Sequence, residues 1–285
     1  MSVLDPTDLS EAEIRRFARH IVLPEVGGTG QLRLRLARVL VVGAGGLGSP
    51  LLLYLAAAGI GTLGVVEDDV VELANLQRQV LFTTGAVGRP KAEAAVERLA
   101  ELDPTTRLVA HRVRLDRDNA PGLIAGYDLV ADGSDNLATR LAVHDAALAL
   151  RKPLVSASVQ GLDGQLTTYK AYLGPPHPCL RCLIGESIAA DALPSCAQAG
   201  VLGPVAGVLG TLQAVEVVKE LLGLGTSLSG TLLAFDAAEA RLDRIRFARR
   251  LMQSRREQIE VIAMPALVHQ VAETAQVVTV SHRGG

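Results

Sequence analysis

Val39-Leu-Val-Val-Gly43-Ala-Gly45-Gly46-Leu-Gly48 is an apolar run that empties into a Gly-x-Gly-x-x-Gly turn. A buried strand feeding such a turn brings backbone amides and the positive end of a helix to a phosphate. Gly43 permits the tight turn, Gly45 lets the backbone approach the phosphate, and Gly48 lets the helix pack on the strand. The run predicts a strand over 38–42 and a helix over 48–58. A second predicted strand, 62–66, ends at Glu67, where a carboxylate hydrogen-bonds ribose hydroxyls. The glycines alone are a weak signal. Asn75-Leu-Gln-Arg78-Gln79 just downstream sharpens it, because a redox dinucleotide needs no Asn and Arg there whereas a site that splits ATP does.

Working outward, the fold class follows from the alternation of periods. Segment 90–102 carries Ala94, Ala95, Leu99 and Leu102 at helical spacing; 107–113 and 127–131 read as strands, 136–150 as a helix, and 153–157 as a further strand. Strand and helix alternating in this way predict an α/β fold, a Rossmann-like doubly wound and mostly parallel sheet. From Gly164 to Tyr172, and again over 231–235, strand-like alternation runs without helices, which predicts an antiparallel C-terminal extension. Ser10-x-x-Glu13 has the spacing of a capping box, so a helix is expected from there through Arg19, broken by Pro24 and by Gly27, Gly28 and Gly30. Residues 174–198 form a Pro- and Cys-containing loop, and 200–222 a nearly continuous apolar helix for a core or a dimer interface. The expected division is an N-terminal helical segment (1–30), a Rossmann-like domain (31–247) and a tail of unknown role (248–285).

Composition narrows the class. A hydrophobic fraction of 49% supports a well-buried core and excludes disorder. A net charge of −2, 3% aromatic residues and no Trp leave neither a basic field nor stacking platforms, so nucleic acid is not the expected partner. The cluster Arg244, Arg246, Arg249, Arg250, Arg255 and Arg256 reads as a solvated helix face. The longest apolar runs are Gly-interrupted and too short to span a bilayer, and residues 1–20 lack the apolar core of a signal peptide. With three cysteines in the chain, a reducing, cytoplasmic setting without a disulfide scaffold is expected.

Asn75, Arg78, Gln79, Lys91 and Asp135 all fall after successive strands, at the carboxyl ends where α/β sheets bind ligands. Lys91 opens a predicted helix, where it would hold a triphosphate. Asp135 taken alone reads as a helix cap, but with Arg78 and Lys91 it reads as a Mg²⁺ ligand. The glycine turn, Asn75-Leu-Gln-Arg-Gln79, Gly88-Arg-Pro-Lys91, Ser134-Asp-Asn136 with Arg140, and Arg16-Phe-Ala-Arg19-His together resemble the ThiF/MoeB/HesA family. These are adenylyltransferases related to ubiquitin-activating enzymes that activate ubiquitin-like sulfur carriers. The resemblance extends over about residues 9–247.

The resemblance implies that a carrier's C-terminal glycine carboxylate attacks the α-phosphate of ATP to give an acyl-adenylate and pyrophosphate. It implies Mg²⁺ on Asp135, a steadying role for Arg140, and phosphate contacts from Lys91, Arg78 and Asn75. Gln79, Asn136 and the turn residues Gly43, Gly45, Gly46 and Gly48 would complete the nucleotide site, with Glu67 on the ribose. Arg19 would come from the neighbouring subunit of a homodimer, and a sulfurtransferase or cysteine desulfurase would supply sulfur for molybdopterin, thiamine or thiolation pathways. The partner would be a carrier ending in Gly-Gly.

Two positions depart from the family pattern. Glu67 stands where Asp is usual, and the second of the family's two Cys-x-x-Cys zinc pairs is missing: Cys179 and Cys182 supply one pair, and Cys196 is the only other cysteine. Two thiolates do not close a tetrahedral site, so His177, His269 or His282 would have to complete it. Cys196 matches a cysteine that some members link covalently to the carrier, and a loop cysteine without a role fits equally well. The terminal Gly284-Gly285 reads as coincidence, since the tail is too short for a ubiquitin-like fold. The competing readings are an enzyme that adenylates a tRNA-borne carboxylate, a nicotinamide- or flavin-dependent oxidoreductase, and a non-catalytic scaffold of the same fold.

Overall fold

A computed structural model describes residues 9–185 and 200–249. Its centre is an eight-stranded sheet formed by β1 (Arg38–Val42), β2 (Thr62–Val66), β3 (Arg107–His111), β4 (Leu129–Asp132), β5 (Leu154–Gln160), β6 (Asp163–Tyr169), β7 (Thr231–Asp236) and β8 (Arg241–Arg246). The order is β3-β2-β1-β4-β5-β6-β7-β8. The first five strands pair in parallel and the last three antiparallel, so the predicted doubly wound sheet with an antiparallel extension is borne out.

The apolar run of the opening motif explains the layering. Successive side chains of a strand point to opposite faces, so a strand covered on both sides must be apolar throughout. In β1, Val39 and Val41 face one core and Leu40 and Val42 the other, all at 0–3% exposure. The first core is closed by α3 (Gly27–Leu36), α4 (Gly48–Ala57), α5 (Lys91–Leu102) and the 20-residue α9 (Gly203–Leu222), through Leu34, Leu51, Leu55, Leu99 and Leu209. The second is closed by α6 (Ala120–Ala125) and α7 (Leu137–Ala149), through Ile124 and Val143. The chain reverses direction across the sheet between β1 and β4, and the crevice at that switch point is where such folds bind ligands.

Three readings need correction. The expected N-terminal helix is split at buried Phe17 into α1 (Glu11–Arg16) and α2 (Ala18–Ile21), although the Ser10–Glu13 capping box forms as expected. The first helical stretch does end at Ile21, ahead of Pro24 and the glycines, but Gly27, Gly28 and Gly30 then open α3, where tertiary packing of Gln31, Leu32 and Leu34 outweighs their poor helix propensity. Gln31 anchors that helix by donating to the Ala58 carbonyl at 3.0 Å and meeting His20 at 3.0 Å. Finally, Arg244 and Arg246 lie exposed on strand β8, not on a helix face. Charged side chains suit a strand at the edge of a sheet, where they discourage pairing with another chain. Arg250, Arg255 and Arg256 fall outside the described residues.

Smaller differences are of length. β3 ends at His111, β5 extends to Gln160, and the long apolar helix begins at Gly203, because Gly200 adopts a φ of +73°. Helix α6 was not anticipated, and within the predicted loop a short α8 (Leu180–Ile184) forms. No helix among the described residues is long and apolar enough to cross a membrane.

Candidate nucleotide site

Two positions of the glycine turn disfavour a side chain, Gly43 by its backbone conformation and Gly48 by close contact. Gly43 has a φ of +91°, and a Cβ on Gly48 would lie 1.9 Å from the Gly43 carbonyl oxygen. The Gly43 amide donates to Val66 at the end of β2, and the Gly133 amide to Val42 at the end of β1. The turn is thereby stitched to both neighbouring strands, and α4 starts directly behind it.

Glu67 leaves the end of β2 half-buried. Its Oε2 accepts from the Ala44 amide at 3.0 Å, inside the glycine turn, and its Oε1 from the Asp68 and Asp69 amides at 3.1 and 3.2 Å. Burial pushes its carboxyl above the usual range, opposed by the Lys91 cation and these amides. Lys91 opens α5 with its side chain only 5% exposed, and its Nζ meets exposed Asp69 at 3.0 Å. A buried ammonium needs a counter-charge, and Asp69 supplies it.

Behind the turn, Asn75 and Gln79 sit on one short helical turn. Glu72 accepts from Asn75 Nδ2 at 3.2 Å, which directs Asn75 Oδ1 to Gln79 Nε2 at 2.8 Å. Gln79 Oε1 is then buried without a partner, an acceptor awaiting a donor. Arg78, partly exposed, lies with its stem beside Gly46, where a Cβ would be 3.4 Å from Arg78 Cγ, and donates to Ala74.

The loop after β4 is set by a network that sequence reasoning missed. Buried Asp132 accepts from the Ser134 amide at 3.0 Å, the Ser134 hydroxyl at 2.6 Å and the Ser156 hydroxyl at 3.2 Å. Gln213 of α9 donates to the carbonyls of Asp132 and Val155 at 2.9 and 3.1 Å. Arg140 reaches back to the Ser134 carbonyl at 2.6 Å and the Ala157 carbonyl at 2.7 Å, so its guanidinium ties the loop to β5. Asn136 caps α7 through the Thr139 amide at 2.9 Å. Asp135 is left exposed at the tip, two residues past Gly133, whose carbonyl lies 3.2 Å from where a Cβ on Gly43 would be. The signal for this network was present in the sequence: a carboxylate closing an apolar strand must find donors once the strand is buried.

The structure thus sets the turn, Glu67, Asn75, Arg78, Gln79 and Asp135 on the segments that follow β1, β2 and β4, with Lys91 at the start of α5 and Arg140 on α7. Arg19 is exposed on α2, which packs against α3. Cys196, His269 and His282 lie outside the described residues. Cys179 Sγ and Cys182 Sγ are 3.2 Å apart at the start of α8. Among the described residues, ligand atoms of three His, Cys, Asp or Glu converge only at Glu67, Asp68 and Asp69, so the described chain does not complete a zinc site at the cysteine pair. His177 bonds Ser229 through Nδ1 at 2.9 Å.

Comparison with known proteins gives the class to which this fold belongs. Residues 17–256 match the ThiF family, and the chain belongs to that family. It is 50% identical over 233 residues to the sulfur carrier protein adenylyltransferase of Thermus thermophilus, covering 81% of this chain and 86% of the relative. It is also 50% identical over 242 residues to the adenylyltransferase and sulfurtransferase MOCS3 of Bos taurus, covering 85% of this chain. The chain spans about half the length of that relative, 52%. Among solved structures, E. coli MccB with ATP superposes with a TM-score of 0.71 at 19% identity, covering 86% of this chain and 74% of that one, a likeness of fold.

Proposed function

We propose that this chain is an ATP-dependent adenylyltransferase that activates the C-terminal glycine carboxylate of a ubiquitin-like sulfur-carrier protein. The observation that carries the reading is the buried Lys91 ammonium set beside Glu67 and the glycine turn, in a chain 50% identical to a sulfur carrier protein adenylyltransferase. The carrier carboxylate is already ionised at neutral pH, so no protein base is needed. One carboxylate oxygen attacks the α-phosphorus, the bond from that phosphorus to the bridging oxygen breaks, and pyrophosphate leaves with the electron pair. The enzyme's work is alignment and charge neutralisation.

In this reading the turn amides, Asn75, Gln79 and Asn136 frame the nucleotide, while Lys91 and Arg78 neutralise the phosphates. Lys91 would exchange Asp69 for a phosphate oxygen. Mg²⁺, held by exposed Asp135, would supply charge neutralisation at the departing pyrophosphate. Arg140 acts at one remove by fixing the loop that carries Asp135. Arg19 completes the site from the second subunit of a homodimer, and a sulfurtransferase or desulfurase later delivers sulfur to the adenylated carrier.

The test is ATP–pyrophosphate exchange with candidate carriers ending in Gly-Gly, comparing the unaltered chain with Asp135→Ala. Exchange that requires a carrier and is lost in the variant supports the reading. A folded protein that binds ATP yet exchanges with no carrier points to another carboxylate substrate.

A further inference from the structure

Cys179 and Cys182 take no part in the nucleotide site, and their geometry gives them a chemistry of their own. Cys179 is the N-cap of α8, and Cys182 lies three residues on, its amide donating to the Cys179 carbonyl at 3.0 Å. Side chains at these two positions of a first helical turn face each other, the juxtaposition that joins Ser10 to Glu13 in α1. Here it sets the two Sγ atoms 3.2 Å apart. The two residues between the cysteines are both tied to α7. The Leu180 amide donates to His144 Nε2 at 3.1 Å, and Arg181 Nη2 donates to Asp145 Oδ2 at 2.8 Å. The turn is therefore fixed at its centre, with the two sulfurs held in contact.

Zinc does not fit the residues described around the pair. Two thiolates leave a tetrahedral site half empty. Both ring nitrogens of His144 are engaged, one by the Leu180 amide and the other by Asp145, and His177 Nδ1 is bonded to Ser229. Closing a disulfide in a turn that is already held adds little loop-closure cost, because folding has brought the sulfurs together. Cys179 is partly exposed whereas Cys182 is buried, so an incoming reagent meets Cys179 first.

We propose that Cys179 and Cys182 form a dithiol–disulfide pair that exchanges with small disulfides such as glutathione disulfide, Cys179 attacking and Cys182 resolving. The Cys179 thiolate attacks one sulfur of the small disulfide and that S–S bond breaks. The departing sulfur leaves with the electron pair and takes up the proton that Cys179 gave up. The Cys182 thiolate then attacks Cys179 Sγ, the mixed disulfide breaks, and the second small thiol leaves protonated. The chain loses two hydrogens and two electrons, and the small disulfide is reduced to two thiols.

The experiment equilibrates the full chain with mixtures of glutathione and glutathione disulfide, alkylates the remaining thiols, and reads peptide masses. Cleavage after glutamate places Cys179 and Cys182 on one peptide, which ends at Glu186, and Cys196 on the next. The expected result is a peptide lighter by two hydrogens that carries neither alkyl group nor glutathione. The doubly alkylated form should fall by about tenfold or more between reducing and oxidising mixtures. Two thiols that stay alkylatable throughout, glutathione retained on the pair, or a bond from either cysteine to Cys196 would each overturn the proposal. So would one equivalent of zinc in the purified chain that is absent from Cys179→Ser. Cys182→Ser gives the second measurement: without the resolving thiol, glutathione should remain on Cys179, and its failure to do so overturns the assigned order of attack. Should that variant fail to fold, oxidation of the unaltered chain still decides. These readouts use neither nucleotide nor carrier, so their failure leaves the adenylation reading untouched.

Discussion

β1 and β8 sit in one sheet and obey opposite rules. β1 is apolar at four consecutive positions, buried on both faces, and ends in the glycine turn. β8 reads Arg-Leu-Asp-Arg-Ile-Arg, with its arginines in solvent and neighbours on one side only. The contrast extends to their halves of the sheet. The parallel half must bring chain ends into one crevice, so its loops carry the polar site residues. In the antiparallel half, short turns join β5 to β6 and β7 to β8, and the last strand closes the sheet edge. A substitution should therefore be felt as lost chemistry or lost fold near β1 and hardly at all near β8.

The sharpest way to break that contrast is Gly48→Ala. Its Cβ would lie 1.9 Å from the Gly43 carbonyl, so turn and helix must separate. Destabilisation of more than about 4 kcal/mol is expected, visible as loss of a cooperative thermal transition. Asp132→Ala follows, because it strips two serines and an amide of their buried acceptor. It should cost about 1–3 kcal/mol in chemical denaturation and weaken nucleotide binding together with stability. Asp135→Ala should separate the two readouts: exchange activity falls roughly a hundredfold or more, while stability moves by less than about 0.5 kcal/mol because the side chain is exposed.

His144 gives a pH test. Its Nε2 accepts from the Leu180 amide at 3.1 Å, which leaves the proton on Nδ1, facing Asp145 at 3.1 Å. Burial holds its pKa below the ordinary 6.5, opposed by Asp145. The folded state thus binds this proton less readily than the unfolded chain. The stability it contributes is complete above about pH 6.5 and is lost as pH falls toward the folded value. The unfolding midpoint should drop on acidification below that pH, and His144→Gln should flatten the dependence. Smallest of all, Arg244→Ala on the edge strand should change stability by less than about 0.5 kcal/mol by the same denaturation assay.

The same contrast explains what could be read in advance. The parallel strands announced themselves because double burial demands unbroken apolar runs, and the site residues because they follow those strands. β8 was misread because its arginines satisfy a helical and a strand spacing alike, and only pairing with β7 decides between them. Helix α3 was hidden by Gly27, Gly28 and Gly30, since its stability comes from distant partners such as Ala58 and Leu222 rather than from its own residues. The sequence pointed to Lys91 and Asp135 but gave no sign of Asp69 as the counter-ion or of Gln213 as the clamp between Asp132 and Val155. Those contacts join residues 22 and 81 positions apart.

Arg140 and Gln213 carry one more consequence. Between them they hold the carbonyls of Asp132, Ser134, Val155 and Ala157, so the loop bearing Asp135 is rigid before any nucleotide arrives. Its conformational entropy is surrendered during folding rather than during binding. Nucleotide capture should therefore proceed at a rate set by diffusion and by the parting of Lys91 from Asp69, with no slow loop-ordering phase in a stopped-flow trace.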